Sequence, residues 1–259
     1  MRLLVLNNLY PPQELGGYGR SIFDFATHLS QLGHELFVLT SDAPYLGGDL
    51  STEAGVCREL NLLGTYQGGL QVLQDGEEKQ RRMTANRFLL QRLLLQMRPH
   101  AALVGNIDLL NPGLLDQFVA AGVHCWHHHG FAESIVPINQ LPCQNSYYHP
   151  LGGSQHTANA LRQLLPSHPV VPVIYTGAQT DRFAQLQPPV LGGVLKIAYA
   201  GLMIGSKGPQ VLLEALGHLH RAGLPFEAEF AGASFGVNGL EPFERFAEQL
   251  GIAGKVVFL

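Results

Sequence analysis

The chain has 259 residues, 46% of them hydrophobic, and a formal charge of -4. That length accommodates one large globular domain or two smaller ones, and the mild acidity leaves no polybasic field to hold a nucleic acid. Three scattered cysteines, Cys57, Cys125 and Cys143, build neither a disulfide framework nor a zinc knuckle and fit a reducing cytoplasm, and no run nears the roughly 18 apolar residues of a membrane span.

Strand-like and helix-like segments alternate, the pattern of parallel βα units in a doubly wound sheet. Leu3 to Asn7 reads as the first strand; its apolar run is too short for a signal peptide. A helix from Tyr18 to Leu32 follows, closed by Gly33, then a strand over 34–41. Between the first strand and this helix lies NNLYPPQELGGYGRS, residues 7–21. A strand-to-helix connection usually takes roughly two to six residues. This one takes about ten, a length that suggests a bound ligand.

Residues 43–76 lack periodicity and read as a long loop with one possible strand at CRELNLL. A long helix over 77–97 leads to a strand at 101–106, a helix at 112–121 and a strand at 123–128. A strand at 148–154, a helix at 156–165 and a strand at 170–175 complete the series. The stretch AQLQPPVLGG, 184–193, marks a domain boundary, dividing the chain into 1–188 and 189–259. Beyond it come a strand at 195–201, a helix at 208–222, a strand at 226–233, a helix at 239–250 and a strand KVVFL. This second α/β unit reads as incomplete, because a parallel sheet needs helices over both faces.

Four groups of residues can carry chemistry. Gly16, Gly17 and Gly19, with Tyr18 among them, precede a helix whose positive end favours an anion, and glycines let backbone N–H groups approach it. A dinucleotide fingerprint is not met, since G-Y-G-R-S-I ends in Ile22. A loop that uses its glycines only to turn is the plain alternative. The run HCWHHHGF, 124–131, ends a strand, and alternation aims His127 and His129 to one side and His128 to the other. One of these rings can touch a substrate at the carboxyl end of the sheet, or all can bond loop carbonyls in a structural role. Adjacent histidines on one strand cannot all converge on a metal, so none is expected.

Lys207 stands just before a helix whose first turn holds Pro209. A bound phosphate would reconcile that lysine with the positive helix end; a solvated turn lysine is the alternative. The helix around EEKQRRMTANRFLLQRLLLQMR carries Lys79, Arg81, Arg82, Arg87, Arg92 and Arg98 beside a Leu/Phe/Met stripe. Such a face can lie on anionic lipid, although a sheet-packing helix with a wet side has the same pattern.

The order of these pieces resembles the retaining, two-domain glycosyltransferases of the GT-B fold, family 4. The resemblance rests on the Gly-Gly loop followed by LSQLGHELFVLTS, the histidine at 127, LGGSQHTANAL, VIYTGAQTDRF at 173–183, and IAYAGLMIGSKGPQVLLEAL. It implies two doubly wound Rossmann-like domains, an acceptor-side one and a donor-side one, with a nucleotide-diphosphate sugar as co-substrate and no cofactor or metal. By resemblance His127 and Lys207 are the catalytic positions, with Lys207 at the donor phosphates. Gly16, Gly17, Tyr18, Gly19, His128, Gly201 and Ser206 line the substrates; Ser154 and Arg182 are peripheral. The acceptor would be a glycan, a lipid-linked or a small-molecule hydroxyl, and the location cytoplasmic, with contact to the inner face of a membrane an open possibility.

Departures are specific. Leu202 replaces the family's arginine, Thr176 its asparagine and Gln179 its aspartate. The family's E-x7-E element would lie downstream of Leu259, and Glu241, Glu244 and Glu248 come too early to supply it. The resemblance therefore implies a truncated enzyme with weak or no turnover alone. A GT-B nucleotide-sugar epimerase and a non-catalytic sugar-nucleotide module are the rival readings.

Overall fold

A computed structural model of the chain describes residues 1–13, 15–50, 54–131, 137–178, 180, 193–234 and 239–259. They belong to two compact units, Met1–Ala178 and Gln179–Leu259. Of the stretch 184–193, all but Gly193 lies outside the described residues, as do Gln179 and Arg182.

The first unit runs β1 (Arg2–Leu6), α1 (Gly17–Gln31), β2 (Glu35–Ser41), β3 (Val56–Leu60), β4 (Gly64–Thr65), β5 (Gln71–Val72), α2 (Gly76–Met97), β6 (Ala101–Val104), α3 (Leu114–Ala120), β7 (His124–His129), β8 (Tyr148–Gly152) and α4 (Gln155–Leu164). Six strands form one parallel sheet in the order β3-β2-β1-β6-β7-β8. β1 shows how the sequence builds it. Leu4 and Leu6 enter the core with Leu89, Leu90, Leu93 and Leu94 of α2 and Leu114, Leu115 and Phe118 of α3. Val5, of opposite parity, packs with Ile22 and Ala26 of α1. Both faces of the sheet are thus covered, as parallel strands require.

Asp75 caps α2, its carboxylate accepting from the N–H groups of Glu77 at 2.9 Å and Glu78 at 3.1 Å. The leucines of α2 are the core-facing stripe, while Phe88 and Leu95 stay exposed on the outer side. Arg81 and Arg82 both grip Glu78, and Arg92 reaches Glu59 at 3.4 Å, so part of the basic face is paired within the fold. Ser154 caps α4 by accepting from Thr157 N–H at 3.1 Å.

Two expectations are corrected. Residues 170–175 do not form a strand: Val173 makes one bridge to Gly152, and Pro172, which lacks an N–H, cannot extend the ladder. The segment 43–76 holds more order than a loop with one strand, because β3 joins the main sheet and β4 and β5 pair as a short antiparallel hairpin. Two-residue strands are too brief to show alternation.

The second unit contains β9 (Leu195–Ala200), α5 (Pro209–Arg221), β10 (Phe226–Ala231), α6 (Glu241–Gln249) and β11 (Val256–Phe258). Its parallel sheet has the order β11-β10-β9. Strand β10 sends Phe226, Ala228 and Phe230 into a core with Leu213 and Leu216 of α5 and Ala247 of α6. Glu227 and Glu229 alternate to the other face and are exposed, with Lys196 at 3.9 Å from Glu227. Both units are Rossmann-like α/β folds.

Candidate functional site

In the first unit the chain leaves β1 toward β2 on one side and returns as β6 on the other, so the strand order reverses between β1 and β6. Loops at the carboxyl ends of two such strands diverge and leave a crevice, the usual ligand position in an open parallel sheet. The long glycine-bearing turn after β1 belongs to this edge. Gly16 adopts φ 69°, a left-handed conformation natural to glycine, and precedes the first turn of α1 without a side-chain cap. Among the described residues nothing lies within 4 Å of a Cβ built at Gly16 or at Gly17. Uncapped N–H groups at a helix start are of the kind that receive an anion.

The Tyr18 hydroxyl has internal partners in the first unit. It donates to the main-chain carbonyl of His128 and accepts from Gly130 N–H at 3.1 Å. Burial pushes its phenol well above the ordinary range. Gly19 is buried on the first turn of the same helix.

The three histidines obey strand alternation. His127 Nδ1 and His129 Nε2 meet one hydroxyl, that of Tyr148, at 2.9 and 3.2 Å, while His128 faces Tyr18 and Phe25 on the opposite side. The Tyr148 hydroxyl has one proton to donate and lone pairs that accept, so it can serve both rings, with the tautomers deciding which ring donates. Desolvation drives all three imidazoles toward the neutral form, His129 down to about 4. His127 is 4% exposed and His128 1%. His128 Nε2 lies 3.2 Å from the Ile174 carbonyl, and its buried Nδ1 has no partner among the described residues. The structure thus gives His127 and His128 internal partners.

In the second unit Gly201, Ser206 and Lys207 share the loop between β9 and α5. Gly201 N–H donates to Ala231 at 3.0 Å, carrying the sheet into the loop. Gly205–Lys207 form a single helical turn, Gly208 takes φ 72°, and Pro209 opens α5. Ser206 and Lys207 are exposed, and no carboxylate among the described residues pairs with that lysine. An unpaired ammonium beside a helix start suits an incoming anion.

Sequence reading missed a second polar cluster at the β1/β6 edge. Asn7 Oδ1 accepts from Asn106 N–H at 2.5 Å, Asn8 N–H donates to Asn106 O at 2.7 Å, and Asn8 Nδ2 donates to the Tyr66 hydroxyl at 2.6 Å. The signal was GNIDLLNPG, a second run of turn-formers after a strand. Tyr148, the hub of the histidine pair, was missed as well. Among the described residues no group of three or more His, Cys, Asp or Glu side chains is placed to hold a metal.

No family model matches the sequence, and no curated protein matches it. Solved structures do. A glycosyltransferase from Rickettsia africae matches over all of this chain and 67% of its own, at 17% identity and TM-score 0.70. The lipopolysaccharide outer core galactosyltransferase WaaB, in its apo form, matches over all of this chain and 67% of its own, at 13% identity and TM-score 0.65. The UDP-GlcNAc 2-epimerase from Neisseria meningitidis, bound to UDP-GlcNAc, matches over all of this chain and 72% of its own, at 11% identity and TM-score 0.56. The fold is shared with glycosyltransferases and with an epimerase. The chain spans about two thirds of the length of the two transferases.

Proposed function

We propose that the chain is the greater part of a retaining, family 4-like glycosyltransferase that moves a sugar from a nucleotide-diphosphate donor to an acceptor hydroxyl. The observation that carries this reading is the open glycine turn at the start of α1, on the carboxyl edge of a parallel sheet with a GT-B-like fold. Lys207 at the head of α5 is its counterpart in the donor-side unit. In the reaction the bond between the anomeric carbon and the phosphate oxygen breaks, and the electron pair leaves with the diphosphate. The acceptor oxygen bonds to that carbon and its proton passes to the departing phosphate. By resemblance the Lys207 ammonium would stabilise the charge that develops on the leaving group, the preorganised electrostatics that dominate many catalysts, and the backbone at Gly17 would approach the diphosphate or the acceptor. The donor-sugar role assigned to His127 by resemblance would compete with its bond to Tyr148.

Calorimetry with UDP-, GDP- and ADP-sugars tests the reading. Binding of one of them, weakened about tenfold or more in Lys207→Ala, supports it; no binding, or an unaltered Lys207→Ala, removes it. The fold likeness to an epimerase bound to its nucleotide sugar favours a second reading, nucleotide-sugar epimerisation. Release of an epimerised sugar in the absence of any acceptor would select it. No helix among the described residues is long and apolar enough to cross a membrane; a cytoplasmic location, with peripheral contact to a membrane's inner face, belongs to the same proposal.

A further inference from the structure

Helix α2 packs one side against the sheet and leaves large apolar and basic residues exposed on the opposite side. Leu89, Leu90, Leu93 and Leu94 enter the core, while Phe88 is 67% and Leu95 77% exposed. At 3.6 residues per turn these two lie within about 20° of one another around the axis and about 10 Å apart along it. Arg87, Arg92 and Arg98 are exposed as well. The same geometry sets Arg92 on one flank of the apolar pair and Arg87 and Arg98 on the other. Between Glu78 and Asp108 the sequence has no acidic residue, although the whole chain carries a formal charge of -4.

Internal pairing accounts for only part of this charge. Arg81 and Arg82 are held by Glu78 at the start of the helix. Arg92 reaches Glu59 at 3.4 Å, but the two side chains are 57% and 65% exposed, and an ion pair of that kind is weak. Arg87 and Arg98 meet no carboxylate among the described residues. Arg98 follows the last turn of α2, where a cation complements the helix dipole; that explains neither Arg87 nor the two apolar side chains. We propose that this outer face of α2 docks on a bilayer of anionic phospholipid, with Phe88 and Leu95 entering the headgroup boundary and Arg87, Arg92 and Arg98 meeting lipid phosphates. An apolar centre with cationic flanks matches a surface that is apolar within and anionic at its rim. Long guanidinium stems can lie along apolar material while their heads stay at the phosphates. A protein partner needs roughly 800 Å² on each side, more than two side chains on a convex helix offer. The proposal deepens the transferase reading by naming the face that would bring the chain to a lipid-linked acceptor, and it rests on that reading for the acceptor alone.

The test is co-sedimentation of the full chain with vesicles of phosphatidylcholine alone and of phosphatidylcholine mixed equally with phosphatidylglycerol, with thermal melts and UDP-, GDP- and ADP-sugar calorimetry alongside. The parent is expected to bind the charged vesicles about tenfold or more over the neutral ones and to be released by salt. Arg87→Gln combined with Arg98→Gln should weaken that binding about twentyfold, and Phe88→Ser combined with Leu95→Ser about tenfold. Both double variants should melt close to the parent and keep its nucleotide-sugar affinity within about twofold, because all four side chains are exposed. Equal binding to both kinds of vesicle, or none by the parent, overturns the proposal. So does an apolar double variant that binds as the parent does, since any polyanion, an acidic protein included, would then serve. A double variant that melts well below the parent shows side chains built into the fold and overturns it too. Vesicle binding without any nucleotide-sugar binding would instead remove the transferase reading and leave the α2 surface standing.

Discussion

The Tyr18 hydroxyl donates to the carbonyl of His128, which bolts the first turn of α1 to the last turn-out of β7. The same oxygen accepts from Gly130 N–H, so one phenol ties both the end of β7 and the residue after it to α1. Tyr18→Phe removes the oxygen and leaves the ring against His128 and Phe131. Water reaches the Gly130 end, so the loss is modest. We expect about 1–2 kcal/mol from urea unfolding followed by circular dichroism. An unchanged midpoint would mean that packing, and not the hydroxyl, fixes α1.

His129 makes the fold acid-sensitive. Its folded value of about 4 lies below the ordinary value of 6.5, because burial and the neighbouring His128 disfavour the charged ring. The unfolded chain therefore binds the proton first as pH falls. Stability is full above pH 6.5, declines from there to about pH 4, and is level with respect to this group below that. The loss through His129 is on the order of 3 kcal/mol, and His127 acts in the same direction. Melting temperatures measured across this window should fall steeply in the parent and less steeply in His129→Gln.

Gly17 and Gly105 should answer the same substitution in opposite ways. At Gly17 a Cβ meets nothing among the described residues. Gly17→Ala is therefore expected to melt with the parent while it crowds the approach of a diphosphate, weakening nucleotide-sugar binding about tenfold in calorimetry. At Gly105 the Cβ meets the Asn7 side chain and Ile22 in a packed interior. Gly105→Ala should lower stability by about 2 kcal/mol or more. Equal behaviour of the two variants would show that the open turn is not a binding surface.

That contrast marks how far the sequence could be read. Local periodicity and punctuation were enough for β1, α1 and β2: a short apolar run, a helical stripe closed by Gly33, and a second apolar run. Alternation also sorted His127 and His129 from His128. What local pattern cannot encode is partnership across the chain. The contact of Asn7 with Asn106 joins residues far apart in sequence, and Tyr148 becomes a hub only because β8 pairs beside β7. The apolar string VVPVIY misled for a different reason, since its hydrophobicity fits a strand while Pro172 removes a ladder donor.

The stacking of Trp126 on His149 supplies a built-in reporter. Trp126 is the chain's only tryptophan, and its ring lies 4.3 Å from the His149 ring at 24°. His149 Nε2 is 2.8 Å from His124 Nδ1, a bond that needs one nitrogen bare and is broken when both rings are charged. Two effects compete over the His149 proton. An indole face favours the imidazolium by cation–π attraction, whereas burial, His124 and His168 disfavour it. The second set prevails, so the protonation midpoint lies below 6.5. Protonated imidazole in contact with indole should quench its emission, which makes the titration visible without a label. Fluorescence should therefore drop on acidification with a midpoint under 6.5 and stay flat in His149→Gln. A midpoint at or above 6.5 would show that the indole stabilises the charged ring more than its surroundings oppose it.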